Sequence, residues 1–263
     1  MNILISNDDG IHANGIRALS EVLSQNYNIY IIAPNQERSA AGHSITLNSP
    51  LRVEELESKY GSVRSWAVSG TPGDCVKIGV NAILSENEKP DLIISGINHG
   101  PNLGHDIIYS GTVSCAVEGA MMNIPSIAVS LNSYKPDLED FYFAAEFIDS
   151  LIPKLNKFKF PEKSILNVNI PGIAKDDITG VAVTEMGGRM FTDNYEKRID
   201  PRGKVYYWMA GKLSSEKDND NTDITAIRQN KISISPLTFN LTRKDVLKDL
   251  TGVLCHDDIC EWF

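Results

Sequence analysis

Basic residues are the first scarcity. Lys and Arg number 25 against 34 Asp and Glu over 263 residues, a formal net charge of -9. Such a chain offers no broad cationic surface for a phosphate backbone, which excludes a polymeric DNA or RNA partner but leaves room for one phosphate in a local pocket. Cysteine is scarce too: the four residues Cys75, Cys115, Cys255 and Cys260 match neither zinc-ribbon nor redox-pair spacing. The terminal group Cys255, His256, Asp257, Asp258 and Cys260 has metal-binding chemistry, but its short spacing near a chain end favours packing or plain surface. No apolar run approaches the roughly 20 residues of a membrane span, and the first residues lack the pattern of a signal peptide. A reducing, cytoplasmic compartment is the expectation. Several familiar strings are also missing. No GxGxxG follows the first apolar run, and GxxxxGK[ST], HExxH and GxSxG do not occur. Dinucleotide-binding, P-loop, zincin and serine-hydrolase readings lose their support.

What is present is the composition of an ordinary globular chain, with 42% hydrophobic and 22% charged residues. The run NILIS at 2–6 is a short β-branched stretch that ends in Asn7, Asp8, Asp9 and Gly10, a strand running into a turn. Ile16, Leu19, Val22 and Leu23 fall at helical spacing, and 29–33 is apolar again up to Pro34. Residues 65–68 read as a strand, after which Thr71 and Pro72 start a helix carrying Val76, Val80 and Ile83. Another apolar run, 91–95, enters a Gly/Asn-rich loop. Ser110, Gly111 and Thr112 then open a small-residue helix, and a strand follows at 126–131. A long amphipathic helix after Asp137 and a strand at 165–170 complete the regular part. The predicted fold is α/β: a Rossmann-like, mostly parallel sheet with helices on both faces. Right-handed crossovers set the loops after the strands along one edge. Ligands of open α/β sheets bind there, and Asp8, Asp9, Asn98 and Ser110 all gather at it. From 187 to 222 the pattern changes. The aromatics Tyr206, Tyr207 and Trp208 and the polar tract SSEKDNDNTD predict an appended hairpin, whose aromatics fit a subunit contact or burial on the parent domain equally.

Chemistry concentrates at the predicted edge. Adjacent strand residues point to opposite faces, so the Asp8 and Asp9 carboxylates converge only where the strand has ended. Two hard carboxylates at that place suit Mg²⁺, Mn²⁺ or Ca²⁺; the plain alternative is an Asp-Gly turn with solvated side chains. In SGINHG, 95–100, Asn98 offers an amide oxygen as a neutral metal ligand. In YSGTV, 109–113, Ser110, Gly111 and Thr112 stand at a helix N-terminus that attracts phosphate through unsatisfied N–H groups and the helix dipole, although the same pattern serves as an ordinary cap. The loop 35–44 brings Arg38, Ser39 and His43 to this edge. Ser39 can complete a metal shell, and Arg38 or His43 can meet phosphate charge. His12, His99 and His105 lie in edge loops too, and sequence alone does not rank them as a general acid.

Taken in order, NDDG (7–10), ERSAAGHS (37–44), SGTPGDC (69–75) and SGINHGPNLGHDIIYSGTVSCAVEGA (95–120) closely resemble the survival protein E (SurE) family of nucleotidases, with a looser likeness through IPSIAVS and TDITAIRQNKISISPL. The resemblance implies a metal-dependent phosphatase of nucleoside 5′- and 3′-monophosphates, with short polyphosphate as a further substrate. It implies one divalent ion per subunit, Mg, Mn or Ca, on Asp8, Asp9, Ser39 and Asn98, with Asp8 and Asp9 catalytic and Ser110, Gly111 and Thr112 on the phosphate. It also implies one domain over 1–263, with a core of about 1–180. Residues of about 181–263 would supply C-terminal elements and an extended hairpin arm joining a homodimer or tetramer. Two positions depart from the pattern: Asn230 stands where similar proteins usually have glycine, and Cys115 where alanine is usual. Two other classes remain for comparison. A phosphoacceptor receiver module also follows its first strand with an acidic pair, but needs a third Asp and a partner Lys that do not stand out here; a nucleotide-binding or assembly module would bind without releasing phosphate.

Overall fold

A computed structural model describes residues 1–57, 63–155, 157, 158, 160–188, 191, 192, 194–213 and 218–254. The terminal cysteine cluster, 255–260, lies outside them. The first strand, β1 (Asn2–Ser6), is buried on both sides, with Ile3 and Ile5 in one core layer and Leu4 in the other. This is the period-two pattern of a central parallel strand. It leads through α1 (Asn14–Leu23) to β2 (Asn28–Pro34), then β3 (Val53–Leu56), β4 (Arg64–Val68) and α2 (Pro72–Ile78). β5 (Leu92–His99), α3 (Gly111–Met121), β6 (Ser126–Asn132), α4 (Leu138–Leu155) and β7 (Ser164–Pro171) follow. The strands β4, β2, β1, β5, β6 and β7 lie side by side in that order, all parallel. β3 adds antiparallel at one edge. At the other edge stand β8 (Gly180–Val183) and β13 (Lys231–Thr238), with β13 antiparallel to β7. The chain winds one way from β1 and the other way from β5, so a crevice opens between their carboxyl ends, where ligands of such sheets bind.

Helices cover both faces, as the sequence predicts, but one crossover departs from expectation. The connections β5–α3–β6 and β6–α4–β7 step the same way across parallel strands. Yet α3 packs with α2 on one face and α4 with α1 on the other, so the two connections have opposite hands. The β1–α1–β2 connection shares the hand of β5–α3–β6, which leaves α4 as the exception to the right-handed rule. The packing supplies the reason. Ala116 and Ala120 of α3 already fill the layer against Ala128 and Ile165. The apolar stripe of α4, Phe141, Ala144, Ile148 and Ile152, instead joins Val129, Val168 and α1 in the opposite core.

Other differences are local. α2 starts where expected, with Thr71 accepting from the Asp74 N–H at 3.2 Å and Asp74 Oδ2 accepting from the Thr71 N–H at 2.9 Å. It ends at Ile78 and gives way to a wider turn over Gly79–Ile83. β5 runs past Ser95 to His99, with a register shift before Asn98 pairs with Ser130. At Asn230 φ is +59°, a left-handed backbone that glycine accepts freely and asparagine tolerates better than most residues, which accounts for the departure from the family pattern.

Beyond β8 two small ribbons stand apart from the sheet: β9 (Phe191–Thr192) with β12 (Lys212–Leu213), and β10 (Tyr195–Ile199) with β11 (Val205–Met209). Tyr206, Tyr207 and Trp208 are 40, 60 and 59% exposed, so they are not buried on the parent chain. The short helix α5 (Asp223–Arg228) returns the chain to the sheet, and α6 (Lys244–Leu254) exposes Val246, Leu247, Leu250 and Val253. Among the described residues no helix is long and apolar enough to cross a membrane.

Candidate active site

The crevice is built from the turn that ends β1. The Asn7 side chain closes it, donating to the Gly10 carbonyl at 2.9 Å and accepting the Gly10 N–H at 3.2 Å. Asp8 is buried beneath the first turn of α3. The Thr112 hydroxyl donates to Asp8 Oδ1 at 2.5 Å, and a Cβ on Gly111 would lie 2.6 Å from Asp8 Cβ, so the helix approaches this closely only because residue 111 has no side chain. Burial pushes the Asp8 carboxyl up to about 6; the Thr112 hydroxyl opposes the shift and the neighbouring Asp9 charge adds to it. Burial raises Asp9 as well, against the opposing influence of His99, whose Nδ1 lies 2.8 Å from Asp9 Oδ1 and whose backbone N–H donates to Oδ2 at 3.3 Å. Of the three edge histidines, His99 is the one paired with the acidic turn. His12 and His105 are exposed.

The remaining predicted residues reach this edge in different ways. Asn98 is half-buried, and its amide nitrogen donates to the Gly100 carbonyl at 2.9 Å, which fixes the amide group. Ser39 is exposed and donates to Glu37 Oε1 at 2.7 Å; its segment is tied to the turn by the Arg38 N–H on the Asp8 carbonyl at 2.7 Å. The Ser110 hydroxyl caps α3 by accepting the Val113 N–H at 3.1 Å. Thus Asp8, Gly111 and Thr112 touch, Asp9 joins His99, and Ser39 is linked through backbone.

Glu118, Lys77 and Asn102, which the sequence does not single out, brace these loops together with His43 and Arg38, which it does. Glu118, buried on α3, accepts from His43 at 2.8 Å and from Lys77 at 3.2 Å, so His43 ties the 35–44 loop to α3. The Arg38 guanidinium donates to the Ser69 carbonyl at 3.2 Å. Beyond Gly100, Asn102 is held by Asn167, Asn169 and Ser130. The signal for this brace was in the sequence: ILNVNI places two asparagines on alternate positions of an otherwise apolar strand, and buried amides require partners.

The donor chemistry fits a hard divalent cation. Buried Asp8 and half-buried Asp9 are adjacent carboxylates, close enough that the Asp9 charge raises Asp8, and the side-chain oxygens that Asn98 and Ser39 offer at this edge are neutral. Among the described residues no three His, Cys, Asp or Glu converge.

Fold and crevice together define a doubly wound α/β protein that sets an acidic pair against a helix N-terminus at its topological switch point. The chain belongs to the survival protein SurE family, whose model matches residues 3–193. It is 48% identical to the 5′-nucleotidase SurE of Pelotomaculum thermopropionicum over 97% of this chain and 95% of that one. The 5′-nucleotidase SurE of Thermosynechococcus vestitus is 46% identical, with 95% and 96% covered. The crystal structure of the SurE protein from Aquifex aeolicus superposes with a TM-score of 0.83 at 38% identity, covering 96% of this chain and 99% of that one.

Proposed function

We propose that this chain is a divalent-metal-dependent 5′-nucleotidase that hydrolyses nucleoside monophosphates to nucleoside and phosphate. The observation that carries the reading is the closure of the α3 N-terminus onto buried Asp8 through Gly111 and Thr112. Asp8 and Asp9 would hold the ion, with Asn98 and Ser39 completing an oxygen shell. When bound, the ion supplies positive charge to the phosphoryl oxygens and acidifies water. The first-turn N–H groups of Gly111 and Thr112 bind the phosphoryl oxygens, with Ser110 shaping that turn as its cap. Asp9 orients His99 through Nδ1, leaving Nε2 to give a proton to the departing ribose oxygen. Asp8, fixed by Thr112, aligns the attacking water with the phosphorus.

The reading extends to 3′-monophosphates and short polyphosphate, to a cytoplasmic setting, and to one folded domain. It also includes a homodimer or tetramer formed through the exposed β10–β11 hairpin.

Phosphate release tests the reading. The protein is stripped with chelator, resupplied with Mg²⁺, Mn²⁺ or Ca²⁺, and offered nucleoside 5′- and 3′-monophosphates and tripolyphosphate. Metal should restore turnover in the wild type, and Asp9→Asn should lose about 10³-fold in kcat. No release with any metal would sink the proposal. In the same assay His99→Gln should lower kcat about 10²-fold; an unchanged kcat removes His99 from the proton-transfer role.

A further inference from the structure

A buried carboxylate that this chemistry leaves unused holds the loop between β5 and α3 at its far end. Asp223, the first residue of α5, is 1% exposed. It accepts backbone N–H groups from Gly104 at 2.9 Å, Gly187 at 2.8 Å and Ile224 at 2.8 Å. Gly104 opens the short helical turn Gly104–Tyr109 that leads into Ser110, and Gly187 lies at the root of the arm. The join is tight. The His105 N–H donates to the Gly188 carbonyl at 2.9 Å, and a Cβ on Gly104, where φ is +52°, would lie 1.9 Å from that oxygen. Gly188 in turn donates its N–H to Asp218 Oδ2 at 2.9 Å.

At the site end, the same loop is joined to the acidic turn. The Tyr109 carbonyl accepts the Gly42 N–H at 3.1 Å, and Gly42 belongs to the segment whose Arg38 N–H donates to the Asp8 carbonyl at 2.7 Å. Asp223 is not needed to cap its own helix, because Thr222 does so by accepting the Thr225 N–H at 3.3 Å. Two of its three donors lie outside α5. An acceptor-only group suits three converging N–H donors, whereas an amide in its place would turn an NH₂ toward one of them.

We propose that Asp223 is a positioning residue for the nucleotidase reaction: by clamping Gly104 to the root of the arm it sets the 103–109 loop, and with it the stance of the α3 N-terminus against Asp8. The inference rests on the nucleotidase reading, whose own failure would show separately as an inactive wild type.

The test compares kcat and KM for a nucleoside 5′-monophosphate at saturating metal, well below each variant's melting midpoint. Asp223→Asn should lower kcat about tenfold with KM little changed, because the interaction lost is one that aligns the transition state. Thr222→Ala, which removes the cap of the same helix, should lose thermal stability and keep its kcat. A kcat for Asp223→Asn within about threefold of wild type overturns the proposal. So does an equal kcat loss in Thr222→Ala, which would make the effect one of stability alone. Should Asp223→Asn fail to fold, Asp218→Asn disturbs the same junction from a less buried carboxylate. It is expected to lose about fivefold in kcat, and a value within about twofold of wild type overturns the proposal equally.

Discussion

At the carboxyl edge of the sheet, polar side chains are buried and bonded to one another; in the β10–β11 hairpin, apolar side chains stand in solvent. Asp8, Ser110, Thr112 and Glu118 are all less than a tenth exposed, and each has a partner within the chain. On the hairpin, Tyr207, Trp208 and Met209 are 60, 59 and 66% exposed. Burying a polar group without a partner costs about 1–3 kcal/mol, so the edge has to be assembled completely if it is buried at all. An exposed aromatic ribbon carries the opposite message, since apolar area left in water is area a second surface can cover. Asp8, Ser110, Thr112 and Glu118 find their partners within one chain, and the arm's aromatics stay in solvent.

The comparison breaks most sharply at Gly111. Gly111→Ala places a methyl group where Asp8 already stands, and kcat/KM should fall about 10²-fold with the circular dichroism spectrum unchanged. Activity near wild type would mean that the tight closure of α3 on Asp8 is incidental. Next comes Glu118. Burial pushes its carboxyl up, but hydrogen bonds and charge from His43 and Lys77 outweigh this and hold it below the ordinary value of 4.5. A depressed carboxylate stabilises the fold above its unfolded pKa and loses that contribution as pH falls through the depressed value. Glu118→Gln should therefore cost roughly 1–3 kcal/mol at pH 7, and its urea midpoint should vary less than that of wild type as pH drops below 4.5. Parallel curves for the two proteins would show that the charge on Glu118 contributes nothing. The smallest effect on the chain itself is expected in the arm. Trp208→Ser should change unfolding free energy by less than about 0.5 kcal/mol while shifting the particle mass seen by light scattering toward the monomer. A large stability loss at constant mass would place the tryptophan against its own chain and erase the contrast.

The acidic turn, the four early parallel strands and the start of α3 are legible from sequence because each is a local pattern: a β-branched run closed by NDDG, or a Ser-Gly-Thr before small residues. Their convergence at one edge follows from the switch-point rule, which needs only strand order. Other features depend on contacts across distance. His99 could not be singled out from His12 and His105, because its distinction is a bond to Asp9, 90 residues away in the chain. Helical periodicity shows that α4 has an apolar stripe but not which face of the sheet is still open to it, so the hand of its crossover was invisible. Glu118 reads as an ordinary helix residue until His43 and Lys77 close over it.

The contact between Gly104 and Asp223 spans 119 residues. On the ribosome, the acidic turn and the start of α3 emerge long before the carboxylate that pins the loop between them. At about 5–20 residues per second the delay is roughly 6–24 s. During that interval the growing chain owns every residue proposed for metal and phosphate but lacks the carboxylate proposed to set them. On the proposed reading, its active centre is completed by a segment made after the arm.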